Sequence, residues 1–290
     1  MKSKTIFTRL LTGFMAAALI AAVPAKAVRA DSYKVVTVGG DLNAQQKADM
    51  LKYFGVDEKT ANIVTVNIDE EKKYLADSVS SDKIGTKSIS CSYVEPTSSG
   101  GLNVSVNNVT WVDGNMIKNA LITAGITNAN VKVSAPFKVS GTAALTGILK
   151  GFENSSKGAK IDEDKKKTAN QELTTTAALG DKIGKDQASK VINDIKAQVV
   201  KDKPKDETAI KEIVQSELKK YDLKLSSEDV DKITALMNKI NGLNLNFSDI
   251  KDQIGQVSNQ LKGVLTSEEA KGFFSKLIEA IKSIFAKIFG

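Results

Sequence analysis

Histidine does not occur in this chain. With it go the commonest general acid–base side chain and the commonest metal ligand, and so Ser–His–Asp and Cys–His catalysis, His-ligated zinc and c-type haem. A single cysteine, Cys91, excludes an intramolecular disulfide framework and any cysteine-held metal cluster. Tryptophan occurs once and proline four times. What is present is a 41% hydrophobic share, enough to bury a core, and 41 basic against 34 acidic residues. The resulting formal charge of +7 invites a nucleic-acid reading.

The first thirty residues account for most of that charge. Lys2, Lys4 and Arg9 precede an apolar run from Leu10 to Val23, and Ala25-Lys26-Ala27 or Val28-Arg29-Ala30 offers small residues for cleavage. This is the three-part pattern of a secretory signal peptide, predicted over 1–30. The run is shorter than the roughly 20 apolar residues that cross a bilayer. With Lys26 and Arg29 the segment holds five basic residues and no acid, so the chain from Asp31 carries 36 basic and 34 acidic residues, a net of +2. Such a balanced surface has no electrostatic footprint for nucleic acid. The predicted address is extracellular or in the cell envelope, and no cysteine stands near the cleavage region to carry a lipid anchor.

Two regions differ in period. From 31 to 150, strands are predicted at 34–38 and 62–66, a helix over 42–54 stopped by Gly55, and a short charged helix at 69–77. Ser88–Val94 and Leu102–Val109 alternate with period two across Pro96–Gly101 and read as a hairpin. A helix over 113–124 and a strand around Val131 and Val133 complete an α+β fold, a mixed sheet with helices on one face. From 151 to 271 the signals are amphipathic helices with short turns, after a polar stretch at 153–168 that reads as a linker or an exposed helix start. Asp-Lys-Ile-Gly at 82–85 and 181–184 and Asp-Gln-Ile-Gly at 252–255 share neither a fixed period nor flanks, so they read as helix stops rather than repeats.

The stretch Ala135-Pro-Phe-Lys-Val-Ser-Gly-Thr-Ala-Ala-Leu-Thr-Gly147, followed by Ala169-Asn-Gln-Glu-Leu-Thr-Thr-Thr-Ala-Ala-Leu-Gly-Asp-Lys-Ile-Gly184, resembles the YpuA-like family, a domain-of-unknown-function family of exported proteins from Gram-positive bacteria. Lys83–Ser90, Gly101–Val104 and Asn119–Gly125 support the resemblance in the same order through most of the mature chain. It implies an exported protein without an assigned activity and carries over no functional residue. Lys87, where the resemblance leads one to expect arginine, and Cys91 depart from the pattern; at a bidentate contact lysine is the weaker partner.

Several residues are candidates for chemistry. Gly39-Gly40 lacks the spacing of a phosphate loop and reads as a plain βα turn with Asp41 near the helix N-cap. A Ser–Lys hydrolase needs no histidine: Ser80-x-x-Lys83, Ser105-x-Asn107 and Lys138-Val-Ser140-Gly141 approximate its three motifs, the last spoiled by Val139. Among the carboxylates, Glu153 and Glu172 flank the family stretches and are the first suspects for a facing pair. Asp162-Glu-Asp164 lacks the glycine and glutamate of a calcium loop, and neither a metal nor a cofactor is expected. Ser140, Gly141 and Thr142 are small residues joining a strand to a helix, which fits capping and close packing first and a ligand second.

The last nineteen residues are the strongest physical signal. Phe273, Phe274, Leu277, Ile278, Ile281, Ile284, Phe285, Ile288 and Phe289 fall on one face of a helix over 272–290, with Lys276, Glu279, Ser283 and Lys287 opposite. Bulky apolar residues against lysines describe a helix that contacts a membrane surface or a partner, the alternative being a terminal helix docked in the core. The expectation is an exported, non-enzymatic binding or scaffold module of the cell envelope, with self-association through its helices as a further class. A histidine-free hydrolase using paired carboxylates or a Ser–Lys pair is the alternative.

Overall fold

The β-branched runs at 35–38 and 62–66 form β1 (Val35–Gly39) and β2 (Asn62–Val66), a parallel pair linked by α1 (Ala44–Phe54). The computed structural model describes residues 34–265 apart from 60, 77 and 80; the predicted signal segment 1–30 and the predicted helix 272–290 lie outside the described residues. Asn43 and Gln46 close a reciprocal capping box at the start of α1, and Gly55 ends it in the left-handed region, as the sequence predicts. The one-turn α3 (Ser81–Ile84) follows α2 (Ile68–Leu75) and leads towards β3 (Cys91–Pro96).

The hairpin expected from 88–94 and 102–109 does not form. The strand order is β2-β1-β3-β5-β4, so β5 (Ala129–Ser134) separates β3 from β4 (Leu102–Val106). Side-chain alternation fixes which face a residue takes but leaves the hydrogen-bonding partner open. Here β4 runs parallel to β5, and α4 (Gly114–Thr123) makes the crossover that a parallel pair requires. β3 is antiparallel to both β1 and β5, so β1, β2, β4 and β5 all run the same way.

The sheet face carrying Thr37, Ser92, Val94, Val131 and Val133 is covered by α4 and by α5 (Ala143–Asn154). α1 packs on the other face, over Val36, Val38, Cys91 and Tyr93, and β4 and β5 leave Asn103, Ser105 and Lys132 exposed there. Burial pushes the Cys91 thiol up to about 11 and keeps it an inert core residue.

Behind α4 and α5 lies α6 (Glu163–Ile183), which begins at an Asp162 cap, so the 153–168 stretch divides into a short connection and the first turns of a helix. α6 stays helical through the consecutive threonines 174–176 because tertiary packing overrides their low propensity; Thr174 and Thr176 bond back to the carbonyls of Asn170 and Glu172 at 3.1 and 2.7 Å. The predicted amphipathic helices follow as α7 (Lys185–Asp202), α8 (Glu207–Lys220), α9 (Ser227–Gly242) and α10 (Phe247–Leu265). One apolar core runs without a break from Val94 and Met116 to Leu261. Gly85 and Gly184 stand just past helix ends with positive φ, whereas Gly255 is inside α10.

Candidate functional site

Because four strands run in one direction, the carboxyl ends of β1, β2, β4 and β5 share an edge, together with the segment 85–90 that enters β3. In open sheets of this kind ligands gather outside such an edge, where the connecting loops converge. An open groove of about 700 Å³ lies there, between the β1–α1 turn, the 83–89 segment and the segment after β5. Asp41, Asn43, Gln46, Lys83, Thr86, Lys87 and Ser140 supply its polar lining. Phe137 supplies an apolar one, and it is one of only two large hydrophobic side chains exposed among the described residues, at 49%.

The groove wall is built from backbone upward. Asp41 N–H donates to the Ser88 carbonyl at 3.1 Å, and Ser88 N–H donates to the Asp41 carboxylate at 2.7 Å. A Cβ on Gly39 would stand 2.3 Å from the Ser88 carbonyl oxygen, so glycine there allows the 85–89 segment to lie directly on the end of β1. Asp41, two residues before the N-cap Asn43 of α1, is therefore a clamp to a distant segment. The Gly40 and Asp41 amides are engaged with Val66 and Ser88 carbonyls, which leaves no anion cradle at the Gly39-Gly40 turn. Lys83 reaches Asp181 at 3.6 Å and stands 5.3 Å from the centre of the Trp111 ring, whose N–H donates to the same aspartate at 3.0 Å. Lys87 faces the groove and is exposed.

The small-residue candidates divide. Ser140 lines the groove, and its carbonyl accepts from the Trp111 and Val112 amides. Gly141 is a packing residue: its φ is +89°, and a Cβ would meet Val109 at 2.1 Å. Thr142 is buried and makes no capping bond to α5; its hydroxyl lies 3.5 Å from that of Ser140.

Of the Ser–Lys elements, Lys83 and Ser140 share the groove, but the Ser105–Asn107 element stands apart from it. Lys83 is in the groove, Ser105 is on the exposed face of β4, Asn107 bonds Ser134 at 3.3 Å, and Ser80 lies outside the described residues. The two carboxylate suspects are equally apart in environment. Glu153 lines a smaller pocket of about 280 Å³, where it accepts from Lys166 at 3.1 Å and from the Ile161 amide at 2.9 Å. Glu172 is 0% exposed in the helical core, paired with Lys196 at 2.8 Å. Lys196 also donates to the Asn119 carbonyl at 2.7 Å and bonds Thr123, whose hydroxyl bonds Glu172 in turn. Burial pulls the Lys196 ammonium below its usual pKa, with Glu172 acting in the opposite sense. This network holds α4, α6 and α7 together and opens onto no cleft. The acidic triplet 162–164 starts α6, Asp162 as its cap and Glu163 as a partner of Lys73 and Lys166.

Two groups at the groove are invisible to sequence reasoning. Phe137 carries no signal of its own in the sequence, and only the fold shows it uncovered. Glu71 sits in a charged helix that alternation assigns to solvent, yet it is 1% exposed beneath the groove wall. Among the described residues no helix is long and apolar enough to cross a membrane.

A family model described as "protein of unknown function (DUF1002)" matches residues 38–257. The uncharacterized protein YpuA of Bacillus subtilis (strain 168) is 37% identical over 281 residues, covering 95% of this chain and 96% of that protein. No solved structure matches the chain.

Proposed function

The chain belongs to the DUF1002 family of proteins of unknown function, and from that premise we propose that it is an exported binding module of the cell envelope whose recognition surface is the groove at the carboxyl edge of the sheet. The observation that carries this reading is Phe137, a half-exposed ring set among unburied hydrogen-bonding side chains at the place where loops of this architecture converge. A ligand there offers an apolar or ring face to Phe137 and polar groups to Asn43, Gln46 and Lys87. Export rests on the pattern of residues 1–30, and attachment to a membrane surface or partner rests on the apolar stripe of residues 272–290.

Sedimentation with purified Gram-positive cell walls tests the groove. The mature protein is expected to pellet saturably, and Phe137→Ala to lose roughly tenfold in affinity, the scale of one anchoring aromatic. Absence of saturable binding, or equal binding by both forms, rejects the reading. The same preparation with and without residues 272–290, spun with phosphatidylglycerol-containing liposomes, tests attachment to a membrane surface; equal partitioning rejects it.

A further inference from the structure

Beneath the groove wall a buried carboxyl, Glu71 at 1% exposure, stands beside the fully buried Ser88 hydroxyl. Neither Glu71 Oε1 nor Ser88 Oγ has a hydrogen bond of good geometry. Buried polar atoms are ordinarily well bonded, so a carboxyl oxygen left this poorly satisfied in a folded core calls for a reason. Ser88 is the residue whose backbone makes both clamp bonds to Asp41, and the Asp41 carboxylate acts on Glu71 from another element.

The charged groups on α2 and on the elements packed near it are engaged with one another. Glu70, its neighbour on α2, is paired with Lys150 of α5, and Lys150 also donates to the Thr65 carbonyl at 2.7 Å. On the α6 side, Glu163 is shared by Lys73 and Lys166, with Tyr74 bonding it too. Lys83 of α3 turns to Asp181 and Trp111. No ion pair among the described residues includes Glu71.

We propose that Glu71 is a proton-operated control of the groove: protonated, it leaves the Asp41–Ser88 clamp intact, and ionised, it places a buried anion against Ser88 and near the Asp41 carboxylate and loosens the 85–89 wall. The position explains the direction. Burial raises the Glu71 carboxyl to about 7, the Ser88 hydroxyl beside it working the other way and Asp41 and Glu70 adding to the rise. A buried carboxylate short of donors is costly, and the clamp, whose Asp41 is exposed, is the contact that can yield. Gly85, Thr86, Lys87 and Ile89 line the groove, so loosening the clamp reshapes the proposed binding surface directly. The control of binding therefore rests on the groove being the recognition surface; the motion of the wall does not.

Hydrogen exchange of the mature protein, without any ligand, separates the two. After correction for the intrinsic pH dependence of exchange, amides of 85–89 are expected to open roughly tenfold more between pH 6 and pH 8.5, while Glu71→Gln keeps the low rate throughout. A corrected rate that does not change with pH in the wild type, or a pH response that survives in Glu71→Gln, overturns the proposal. Should Glu71→Gln fold poorly, the side-chain carboxyl of Glu71 in Asp41→Asn, followed by carbon NMR, gives a second reading: its midpoint is expected to fall below that of the wild type, and an unchanged midpoint overturns the proposal. Failure of wall binding at every pH rejects the groove reading alone and leaves the exchange result standing.

Discussion

Lys196 and Glu172 sit fully buried at the centre of the helical layer, each with its bonds made. Such a pair gains little net stability over apolar residues, but breaking it strands a charge without water. Glu172→Gln is expected to cost about 3–5 kcal/mol in chemical denaturation, and the double replacement Glu172→Leu with Lys196→Met to recover most of that loss. Glu71 gives the opposite case, a carboxyl whose charged form the fold disfavours. Between pH 4.5 and about 7 the native chain holds a proton that the unfolded chain has released, so stability falls as pH rises through that window and the cost is complete above it. Glu71→Gln should therefore leave stability near wild type at pH 4.5 and raise it by about 3 kcal/mol at pH 8, measured by thermal or urea unfolding. Neither group was legible in the sequence. Glu172 stands in a family stretch and Glu71 in a run of charges, and only the long-range approach of α7 to one and of Ser88 to the other decides what each carboxyl does.

At the scale of elements, the sequence was most readable where one face meets a core. Val191, Ile192, Ile195 and Val199 of α7 are all buried, as their spacing predicts, and in α8 and α9 most of the stripe is buried, with Ile213 and Val230 half-buried at its edge. It was least readable where two strands compete for a neighbour. Period two in 88–94 and 102–109 identifies two strands equally well whether they pair with each other or, as here, with β5 between them. Helix starts show the same limit. Asp113 accepts the Asn115 and Met116 amides at 2.9 Å, whereas Thr142, equally suited by type, makes no capping bond. Asp113→Ala is accordingly expected to cost about 1 kcal/mol through its lost cap, and Thr142→Ser, which keeps the hydroxyl and removes one methyl from a buried site, to be felt through packing alone. A Thr142→Ser loss smaller than that of Asp113→Ala in parallel denaturation supports this division.

The whole molecule joins a mixed sheet to a helical layer through one continuous core, and the loops at one edge of the sheet remain free to form a groove. That architecture explains why the family resemblance spans the chain: residues 135–147 supply Phe137, Ser140 and the close approach at Gly141, and residues 169–184 supply the buried centre of α6. Composition set the limits within which this fold acts, since a chain without histidine builds its polar centres from lysine, carboxylates, serine, threonine and asparagine. The central claim is that the groove receives an envelope ligand. Its most direct test is amide exchange of the mature protein with and without soluble fragments of Gram-positive cell wall: protection is predicted over 85–89 and 135–140, and no protection, or protection confined to α8 and α9, contradicts the account.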